Sequence, residues 1–544
     1  MKTRFLIGLA ILIFSNTFAQ NYASKKPKLV VGIVIDQMRY DYLKRFDKKY
    51  GNNGFKRLIK NGYMLNNAQY NYIPTYTAVG HTSIYTGTTP SYHGIISNNW
   101  YDKKLKKSIY CVDDDTYQTV GADKGGSKSP YRMKTTTITD QLHLAQNMKG
   151  KTIGISLKDR AAILPAGHTA NAAYWFEGEQ TGEFISSTYY MKKLPKWVKY
   201  FNNSGIAKKY LNTIWVTKYP IASYTESITD NNPYEGLFRG EKSPTFPHDI
   251  PKLQALNGGY DIIKATPQGN SILEKFAEAT ITGEHLGQSA YTDFLAISFS
   301  STDYIGHRYG VDSKEVEDAY IRLDKNIADL LSFLDAKVGK DNYTLFLTAD
   351  HAAVHAPSYL ESIKIPAGYI SRKKFANRVN EIISSNFHVT GLVENISNYQ
   401  IFLNHQKIKS LGLSVHKIAQ VLADELITFD GIYKTVTAKT MQTTRFGDGI
   451  LRLLQNGYNQ KYSGDVLLIP TPATIEYPHF GSTHGSGYNY DTHVPLIFYG
   501  NGINKGYSNT YYPIIDIAPT LSVLLGIEFP DGNTGRVINE VLKR

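Results

Sequence analysis

The amino-acid sequence predicts an α/β fold with a largely parallel, doubly wound sheet and helices on both of its faces. Four short, almost continuously apolar runs are typical of buried strands, and they occupy residues 29–35, 152–156, 294–299 and 343–348. Between the last two runs, apolar side chains recur with the 3.6-residue period of an amphipathic helix over residues 316–334. Strands of this kind, separated by such a helix, indicate a parallel sheet that is covered on both faces.

A fifth apolar run, residues 494–499, contains Pro495. Because proline has no backbone N–H to donate to a neighbouring strand, we expect this strand to lie at an edge of the sheet or to begin after the proline.

The chain has 544 residues, of which 42% are hydrophobic and 20% charged, as in an ordinary globular protein. We expect a single domain over residues 20–544, although two long stretches interrupt the alternation of predicted strands and helices. These stretches cover about 165–289 and 356–478 and are rich in Tyr, Asn, Gly and Lys. We interpret them as insertions that form a cap over the functional edge of the sheet.

The first residues have the pattern of a signal peptide, predicted at residues 1–19. Lys2 and Arg4 precede an apolar run at 5–14, and Thr17-Phe18-Ala19 is an acceptable cleavage site. The apolar run is shorter than the ~20 residues that span a bilayer, so we expect no membrane span. We therefore expect an exported protein in the periplasm, with secretion as the alternative. The single cysteine, Cys111, excludes a disulfide framework.

The chain is basic, with 60 Lys and Arg against 47 Asp and Glu and a formal net charge of +13. A positive protein attracts anions, but the charge alone does not identify them. The sequence has no recognition-helix pattern and no zinc-finger spacing, so we expect no nucleic-acid binding. The 41 tyrosines are scattered, and packing explains them more simply than glycan contacts do.

Six carboxylate and imidazole side chains follow the predicted strands or lie near the end of the chain. They are Asp36, Asp303, His307, Asp350, His351 and His484. In an open α/β sheet, ligands bind beyond the carboxyl ends of the strands, so these residues are expected to meet at one edge. Each aspartate alone would be interpreted as a helix cap or turn residue. Together, the six fit two metal ions with three protein ligands each, and histidine favours zinc over magnesium or calcium.

A candidate nucleophile lies in the segment 73–81, where Pro74 marks a loop that turns into a helix. A threonine in the first turn lies among free backbone N–H groups that suit an anion. Thr75 or Thr77 could instead be an ordinary helix cap. A threonine hydroxyl becomes an effective nucleophile only beside a base or a metal.

Lys158 and Arg160 follow the second predicted strand and would lie on the same side of an extended chain. The planar fork of arginine and the compact charge of lysine both suit phosphoryl oxygens. Without other evidence, Lys-Asp-Arg would be interpreted as an exposed loop.

The ordered set Asp36, Thr77, Asp303-x-x-x-His307, Thr348-Ala-Asp-His351 and His484 resembles the alkaline phosphatase superfamily, as does the segment Asp516-Ile-Ala-Pro-Thr-Leu521. Residues 76–81, 98–100 and 158–160 resemble its phosphate-irrepressible alkaline phosphatases. The resemblance spans nearly the whole mature chain.

The resemblance implies two zinc sites and a set of phosphoryl contacts. One zinc would be held by Asp36, Asp350, His351 and the Thr77 oxygen, and the other by Asp303, His307 and His484. Asn98, Lys158 and Arg160 would contact the non-bridging oxygens of the phosphoryl group, with Asn98 assigned in preference to Asn99. The best-known alkaline phosphatases of the superfamily, from which this sequence departs, use a serine nucleophile and bind a third metal, magnesium. Here the Lys158 and Arg160 charges resemble a substitute for that metal, so no magnesium site is expected.

The resulting hypothesis is a monomeric, zinc-dependent alkaline phosphatase. It would hydrolyse a broad range of small phosphate monoesters through a phosphothreonine intermediate on Thr77. The alternatives are a phosphodiesterase or nucleotide pyrophosphatase of the same superfamily, and a non-catalytic exported protein that binds zinc or glycans. Two fixed cations match a dianionic monoester better than a singly charged diester. Cys111 is followed by Val-Asp-Asp-Asp, which excludes the C/S-x-P-x-R motif of sulfatases.

Overall fold

The computed structural model describes residues 26–543. The predicted signal peptide at residues 1–19 lies outside this range. In the described part of the chain, no helix combines the length and the apolar character that crossing a membrane requires.

Eighteen strands and twenty α-helices are formed within the described residues. The strands are β1 (Leu29–Ile35), β2 (Tyr63–Gln69), β3 (Asn99–Asp102), β4 (Lys107–Tyr110), β5 (Thr119–Val120), β6 (Thr152–Ser156), β7 (Ala172–Glu177), β8 (Glu183–Ser187), β9 (Asp293–Phe299), β10 (Tyr343–Thr348), β11 (Gly368–Tyr369), β12 (Val393–Ser397), β13 (Gln400–Leu403), β14 (Ile432–Thr437), β15 (Val466–Pro470), β16 (Thr474–Ile475), β17 (His493–Gly500) and β18 (Gly506–Pro513). The helices are α1 (Tyr42–Arg45), α2 (Phe55–Asn61), α3 (Thr77–Thr86), α4 (Pro90–His93), α5 (Ile138–Ala145), α6 (Asp159–Ala166), α7 (Lys196–Asn202), α8 (Ile206–Leu211), α9 (Ile250–Leu253), α10 (Pro267–Gly283), α11 (Ser301–Tyr309), α12 (Lys314–Leu334), α13 (Pro357–Ser362), α14 (Arg372–Phe387), α15 (His405–Ser410), α16 (Val415–Leu426), α17 (Ala438–Thr443), α18 (Ile450–Gly457), α19 (Asn489–Thr492) and α20 (Ile517–Leu525).

The predicted α/β fold is confirmed, with a ten-stranded sheet in the order β18-β2-β17-β10-β1-β9-β6-β7-β8-β5. Five adjacent strands, β10, β1, β9, β6 and β7, run parallel to one another. The four predicted apolar runs form β1, β6, β9 and β10, each within one residue of its predicted limits. The predicted amphipathic helix is α12, which packs its apolar side chains into the same core as these strands.

The expectation of an edge position for the strand that contains Pro495 is wrong. This strand, β17, lies between β10 and β2 and is antiparallel to both. Pairing with β10 reaches only Leu496, and the pairing with β2 shifts register between Val494 and Leu496. Pro495 therefore lies outside the paired positions of both ladders, where the missing N–H costs no hydrogen bond between strands. Its carbonyl accepts a hydrogen bond from Thr348 Oγ1 at 2.7 Å.

The interpretation of residues 165–289 as an insertion is wrong for its first part. Strands β7 and β8 belong to the central sheet, and β7 pairs in parallel with β6. All six residues of β7 are buried, as expected of an interior strand. The aromatic Tyr-Trp-Phe run of β7 lacks the aliphatic character of the other central strands, so the sequence does not indicate an interior strand here.

The second interpreted insertion, 356–478, contains a separate antiparallel sheet in the order β12-β13-β15-β14. Helices α14 and α16 pack with it around a core of their own. This small sheet borders the segment after α3, and helix α18 borders the segment before it. Asn398 Nδ2 donates to the Asn99 carbonyl at 2.7 Å, and the Ile73 N–H donates to the Leu453 carbonyl at 3.0 Å. A cap function for it stays a prediction.

Candidate active site

The carboxyl ends of four adjacent parallel strands bring the candidate residues together. The register pairs Val34 of β1 with Thr348 of β10, Ile35 of β1 with Phe299 of β9, and Ser156 of β6 with Ser298 of β9. Asp36 follows β1 directly, Asp350 and His351 follow β10, Lys158 follows β6, and Asp303 lies on α11 after β9. Residues that are more than 300 positions apart in the chain therefore meet at one edge of the sheet.

Asp36, Asp350 and His351 form one compact group whose ligand atoms all lie within 4.8 Å of one another. All three side chains are fully buried, and His351 Nε2 lies 3.4 Å from Asp36 Oδ1 and 3.5 Å from Asp350 Oδ2. Burial, with the Asp303 charge in addition, raises the pKa of Asp36 to about 6. Burial and the Asp36 charge raise the pKa of Asp350 well above its usual value.

This first group fits a bound cation. Asp36 Oδ1, Asp350 Oδ2 and His351 Nε2 are buried and have no hydrogen-bond partner among residues 26–543. Buried polar atoms are almost always paired, so three unpaired acceptor atoms in one cluster require a partner of another kind. Two carboxylate oxygens and an imidazole nitrogen are ligands that zinc accepts.

The second group is built around Asp303. Asp303 and His307 lie one turn apart on α11, as predicted, with His307 Nε2 at 3.2 Å from Asp303 Oδ1. His484 Nε2 lies 3.7 Å from the same oxygen. The ligand atoms that lie within 4.8 Å of one another are those of Asp303, His351 and His484. The His351 and His484 rings stack at 3.4 Å, so His351 borders both groups.

The three candidate histidines all hold their second ring nitrogen against a backbone carbonyl. His307 Nδ1 lies 2.7 Å from the Ser482 carbonyl, His484 Nδ1 lies 2.6 Å from that of Thr75, and His351 Nδ1 lies 3.1 Å from that of Ala352. Because a carbonyl only accepts, each Nδ1 is the donor, and in the neutral ring the lone pair is therefore on Nε2. This is the arrangement in which a protein orients histidine ligands toward a metal.

Thr77 is the first residue of α3, and it is buried. The helix cap is Tyr76, which makes no side-chain capping bond, so neither Thr75 nor Thr77 is the N-cap. Gly80, one turn into α3, explains how the helix start reaches the site. A Cβ atom at Gly80 would lie 2.1 Å from the Asp350 carbonyl oxygen, so only glycine permits this approach.

Asn98 is the asparagine that lies beside Thr77. Its Oδ1 accepts a hydrogen bond from the Ala78 N–H at 2.9 Å, which leaves its amide Nδ2 available as a donor. Asn99 is exposed and begins β3, where it pairs with Tyr110. The local geometry therefore favours the choice of Asn98.

Lys158 joins the two groups. Its ammonium lies 2.6 Å from Asp36 Oδ2 and 2.5 Å from Asp303 Oδ2, and its side chain is almost completely buried. Burial alone would lower the pKa of Lys158, but the Asp303 and Asp36 carboxylates raise it above its usual value. The Lys158 ammonium is therefore charged, and it lies between Asp36 of the first group and Asp303 of the second.

The chain does not stay extended from Lys158 to Arg160, which was the condition for placing the two side chains on one side. Helix α6 begins at Asp159, with Lys158 as its N-cap, because Asp159 favours the first turn and the residues that follow are good helix formers. Lys158 and Arg160 nevertheless line the same cavity of about 300 Å³, together with Tyr110 and Tyr304.

Several contact residues of the site were not recognised in the sequence. Gln37 Nε2 donates to Asp303 Oδ1 at 2.7 Å, and the Gln37 N–H donates to Asp350 Oδ1 at 3.2 Å. The Tyr477 ring stacks on His307 with 5.6 Å between ring centroids. Gln37 could have been suspected from its position next to Asp36. Tyr477 has no sequence signal, since only the fold brings it to His307.

Comparisons with known proteins agree with this geometry. A sequence model described as type I phosphodiesterase / nucleotide pyrophosphatase matches residues 30–485. The alkaline phosphatase PhoV of Synechococcus elongatus is 45% identical, over 100% of this chain and 100% of its own. The alkaline phosphatase PafA of Elizabethkingia meningoseptica is 42% identical over 99% of both chains. A Myroides odoratus protein named calcium-transporting ATPase is 45% identical over 96% of this chain and 95% of its own.

The fold is also that of a solved relative. The crystal structure of wild-type PafA superposes with a TM-score of 0.92 at 43% sequence identity, and the match covers 96% of this chain and 100% of that one.

Proposed function

The chain belongs to the type I phosphodiesterase / nucleotide pyrophosphatase family, in the alkaline phosphatase superfamily, and we propose that it is a zinc-dependent alkaline phosphatase that acts on phosphate monoesters. That it is a phosphatase enzyme follows from its full-length similarity to PhoV and PafA, so the alternative of a non-catalytic zinc- or glycan-binding protein is rejected. The finer proposal is carried by one observation. Three buried ligand atoms that have no hydrogen-bond partner in the described part of the chain converge at the sheet edge where the helix that starts with Thr77 meets Asp350.

Two zinc ions would be held at the two groups. Asp36, Asp350 and His351, with the Thr77 oxygen, would hold one, and Asp303, His307 and His484 would hold the other. When bound, such ions supply Lewis-acid charge that makes an oxygen nucleophilic at neutral pH and stabilises a leaving oxygen. We expect no third-site magnesium, because the Lys158 and Arg160 charges stand near Asp36.

In the proposed reaction, Thr77 is the nucleophile and the phosphate ester is hydrolysed in two steps. The Thr77 hydroxyl gives up its proton and its oxygen attacks phosphorus in line, so that the P–O bond to Thr77 forms as the bond to the leaving oxygen breaks. The leaving oxygen takes up a proton and departs as the alcohol of the ester. Water then hydrolyses the phosphothreonine, which releases phosphate and restores the hydroxyl. Such transition states are loose, and positioning with charge stabilisation supplies most of the catalysis. Asn98, Lys158 and Arg160 would hold the three non-bridging oxygens.

Phosphodiester or nucleotide pyrophosphate hydrolysis is the second candidate, and the description of the matching family favours it. A diester presents one negative charge and two non-bridging oxygens. The charges of the buried Lys158 and the half-buried Arg160 therefore match a monoester better. We propose monoesters of broad range as the preferred substrates and diesters as slower ones.

Removal of metal is expected to abolish hydrolysis of a chromogenic phosphate monoester, with recovery on adding back Zn²⁺ but not Mg²⁺ alone. The acidic groups would then lack the cation that their unpartnered oxygens require. The measurement is activity and bound metal after dialysis against a chelator. Far-UV circular dichroism serves as the control for the fold. Full activity in protein that contains no bound metal would contradict the proposal.

We further propose that residues 1–19 direct export to the periplasm and that the mature enzyme is a monomer. We also propose that the part of the stretch 165–289 that follows β8, together with the stretch 356–478, caps the site.

A further inference from the structure

Arg160 has a single side-chain hydrogen bond within residues 26–543. Its Nη1 donates to the Tyr110 hydroxyl at 3.0 Å, whereas its Nε is buried and has no partner. A guanidinium carries five N–H donors, so most of its hydrogen-bonding capacity is available for a ligand in the cavity that it lines. The orientation of this group therefore depends on Tyr110.

The Tyr110 hydroxyl has a fixed direction. It donates to Asp159 Oδ1 at 2.5 Å, and because a hydroxyl has only one proton, it can only accept from Arg160. Burial first, with the Asp159 charge in addition, raises the pKa of Tyr110 well above its usual value. The phenol therefore keeps its proton and remains a donor to Asp159.

Asp159 is itself held in place. Its Oδ1 also accepts the backbone N–H of Arg160 at 2.6 Å, and Lys128 Nζ lies 3.2 Å from its Oδ2. Lys128 pairs with Asp113 at 2.7 Å and lies over the Tyr110 ring, 4.9 Å from its centroid. Burial opposes ionisation of Asp159, but Lys128 and then Arg160 keep its pKa below the usual value.

The hairpin of β3 and β4 connects Tyr110 to Asn98. Tyr110 ends β4 and pairs with Asn99, and the Cys111 N–H donates to the Asn98 carbonyl at 2.9 Å. One hairpin therefore carries both the amide beside Thr77 and the hydroxyl that holds Arg160. A shift of this hairpin would move two of the three proposed phosphoryl contacts together.

We propose that Tyr110, supported by Asp159 and Lys128, is a positioning residue that aims the Arg160 guanidinium at the phosphoryl group of the substrate. The proposal rests on the proposed function, in which Arg160 contacts a non-bridging oxygen. Tyr110 itself touches no reacting atom, and it acts only through Arg160.

The test is a double-mutant cycle with Tyr110→Phe and Arg160→Ala, read as kcat/KM for a phosphate monoester and for a diester. Loss of one hydrogen bond to a charged group is expected to lower monoester kcat/KM about tenfold, with a much smaller effect on the diester. In the Arg160→Ala background, Tyr110→Phe should change monoester kcat/KM by less than about twofold, because the two residues act as a unit.

Tyr224→Phe is the matched control, since the buried Tyr224 hydroxyl donates to Asp318 Oδ1 at 2.5 Å, outside the candidate site. Tyr224→Phe should leave the ratio of monoester kcat/KM to diester kcat/KM unchanged. Asp159→Asn, which keeps the side-chain shape, is a second variant that should lower the ratio in the same direction as Tyr110→Phe.

Two outcomes overturn the inference in distinguishable ways. If Arg160→Ala lowers monoester turnover and Tyr110→Phe lowers it equally in both backgrounds, Tyr110 does not act through Arg160. If Arg160→Ala leaves monoester turnover unchanged, the role of Arg160 in the proposed function fails and the inference fails with it.

Discussion

Replacing Thr77 by alanine is expected to lower phosphate-monoester hydrolysis by about 10⁴-fold or more, the scale seen when a catalytic nucleophile is removed. Thr77 is buried at the first position of α3, among the free N–H groups of the helix start. The alanine variant keeps the helix and the surrounding backbone, so its melting temperature should change little. The loss should be read as kcat in zinc-replete buffer.

Thr86→Ala provides the matched control for Thr77→Ala. Thr86 is also a buried threonine of α3, but its hydroxyl donates to the Thr82 carbonyl at 2.8 Å within the helix. This variant should stay within about threefold of wild-type activity, as expected for a site outside the reacting groups. Thr77→Ser should retain a hydroxyl nucleophile and much more activity than Thr77→Ala. Wild-type turnover by Thr77→Ala would exclude Thr77 as the nucleophile.

The double variant Lys158→Ala/Arg160→Ala is expected to have a monoester kcat/KM about 10⁴-fold below that of the wild type. Loss of one preorganised donor to a developing oxyanion costs about 10²-fold, and this variant loses two such groups. Diester hydrolysis should fall by about tenfold only, because a diester brings one less negative charge to the same cavity. The measurement is kcat/KM for a matched pair of esters that share one leaving group. Equal losses for both esters would contradict the preference for monoesters.

Lys158 needs a separate control because it also lies between Asp36 and Asp303. Bound zinc should therefore be measured in the same samples. Arg160→Ala alone should reduce the monoester-to-diester ratio without loss of metal, since Arg160 pairs with Tyr110 and not with either group. Lys325→Ala, which removes an exposed cation paired with Asp329 on α12, should change neither ester.

Much of the candidate site could be predicted from the sequence because several of its candidate ligands follow recognisable strands. Asp36 and Asp350 come one and two residues after β1 and β10, and parallel strands end at one edge. The four-residue spacing of Asp303 and His307 predicted one helical face, and α11 provides it.

Other features depend on contacts that no local pattern contains. Pro495 occupies an interior strand only because a register shift places it away from the ladder. The aromatic run of β7 joins the central sheet through pairing with β6, which is set by the tertiary fold. Tyr110 lies 50 residues before Arg160, and their contact arises from the packing of a hairpin against α6. The start of α6 at Asp159, by contrast, has a local signal, because an acidic residue favours the first turn of a helix.

The covalent phosphoenzyme is the most direct test of the central claim. Wild-type protein should be incubated with a phosphate monoester, quenched in acid, digested and mapped by mass spectrometry, with Thr77→Ala in parallel. We predict phosphate on Thr77 in the wild-type protein and on no residue in the variant. Phosphate on a different residue, or unchanged labelling in Thr77→Ala, would contradict the assignment of Thr77 as the nucleophile.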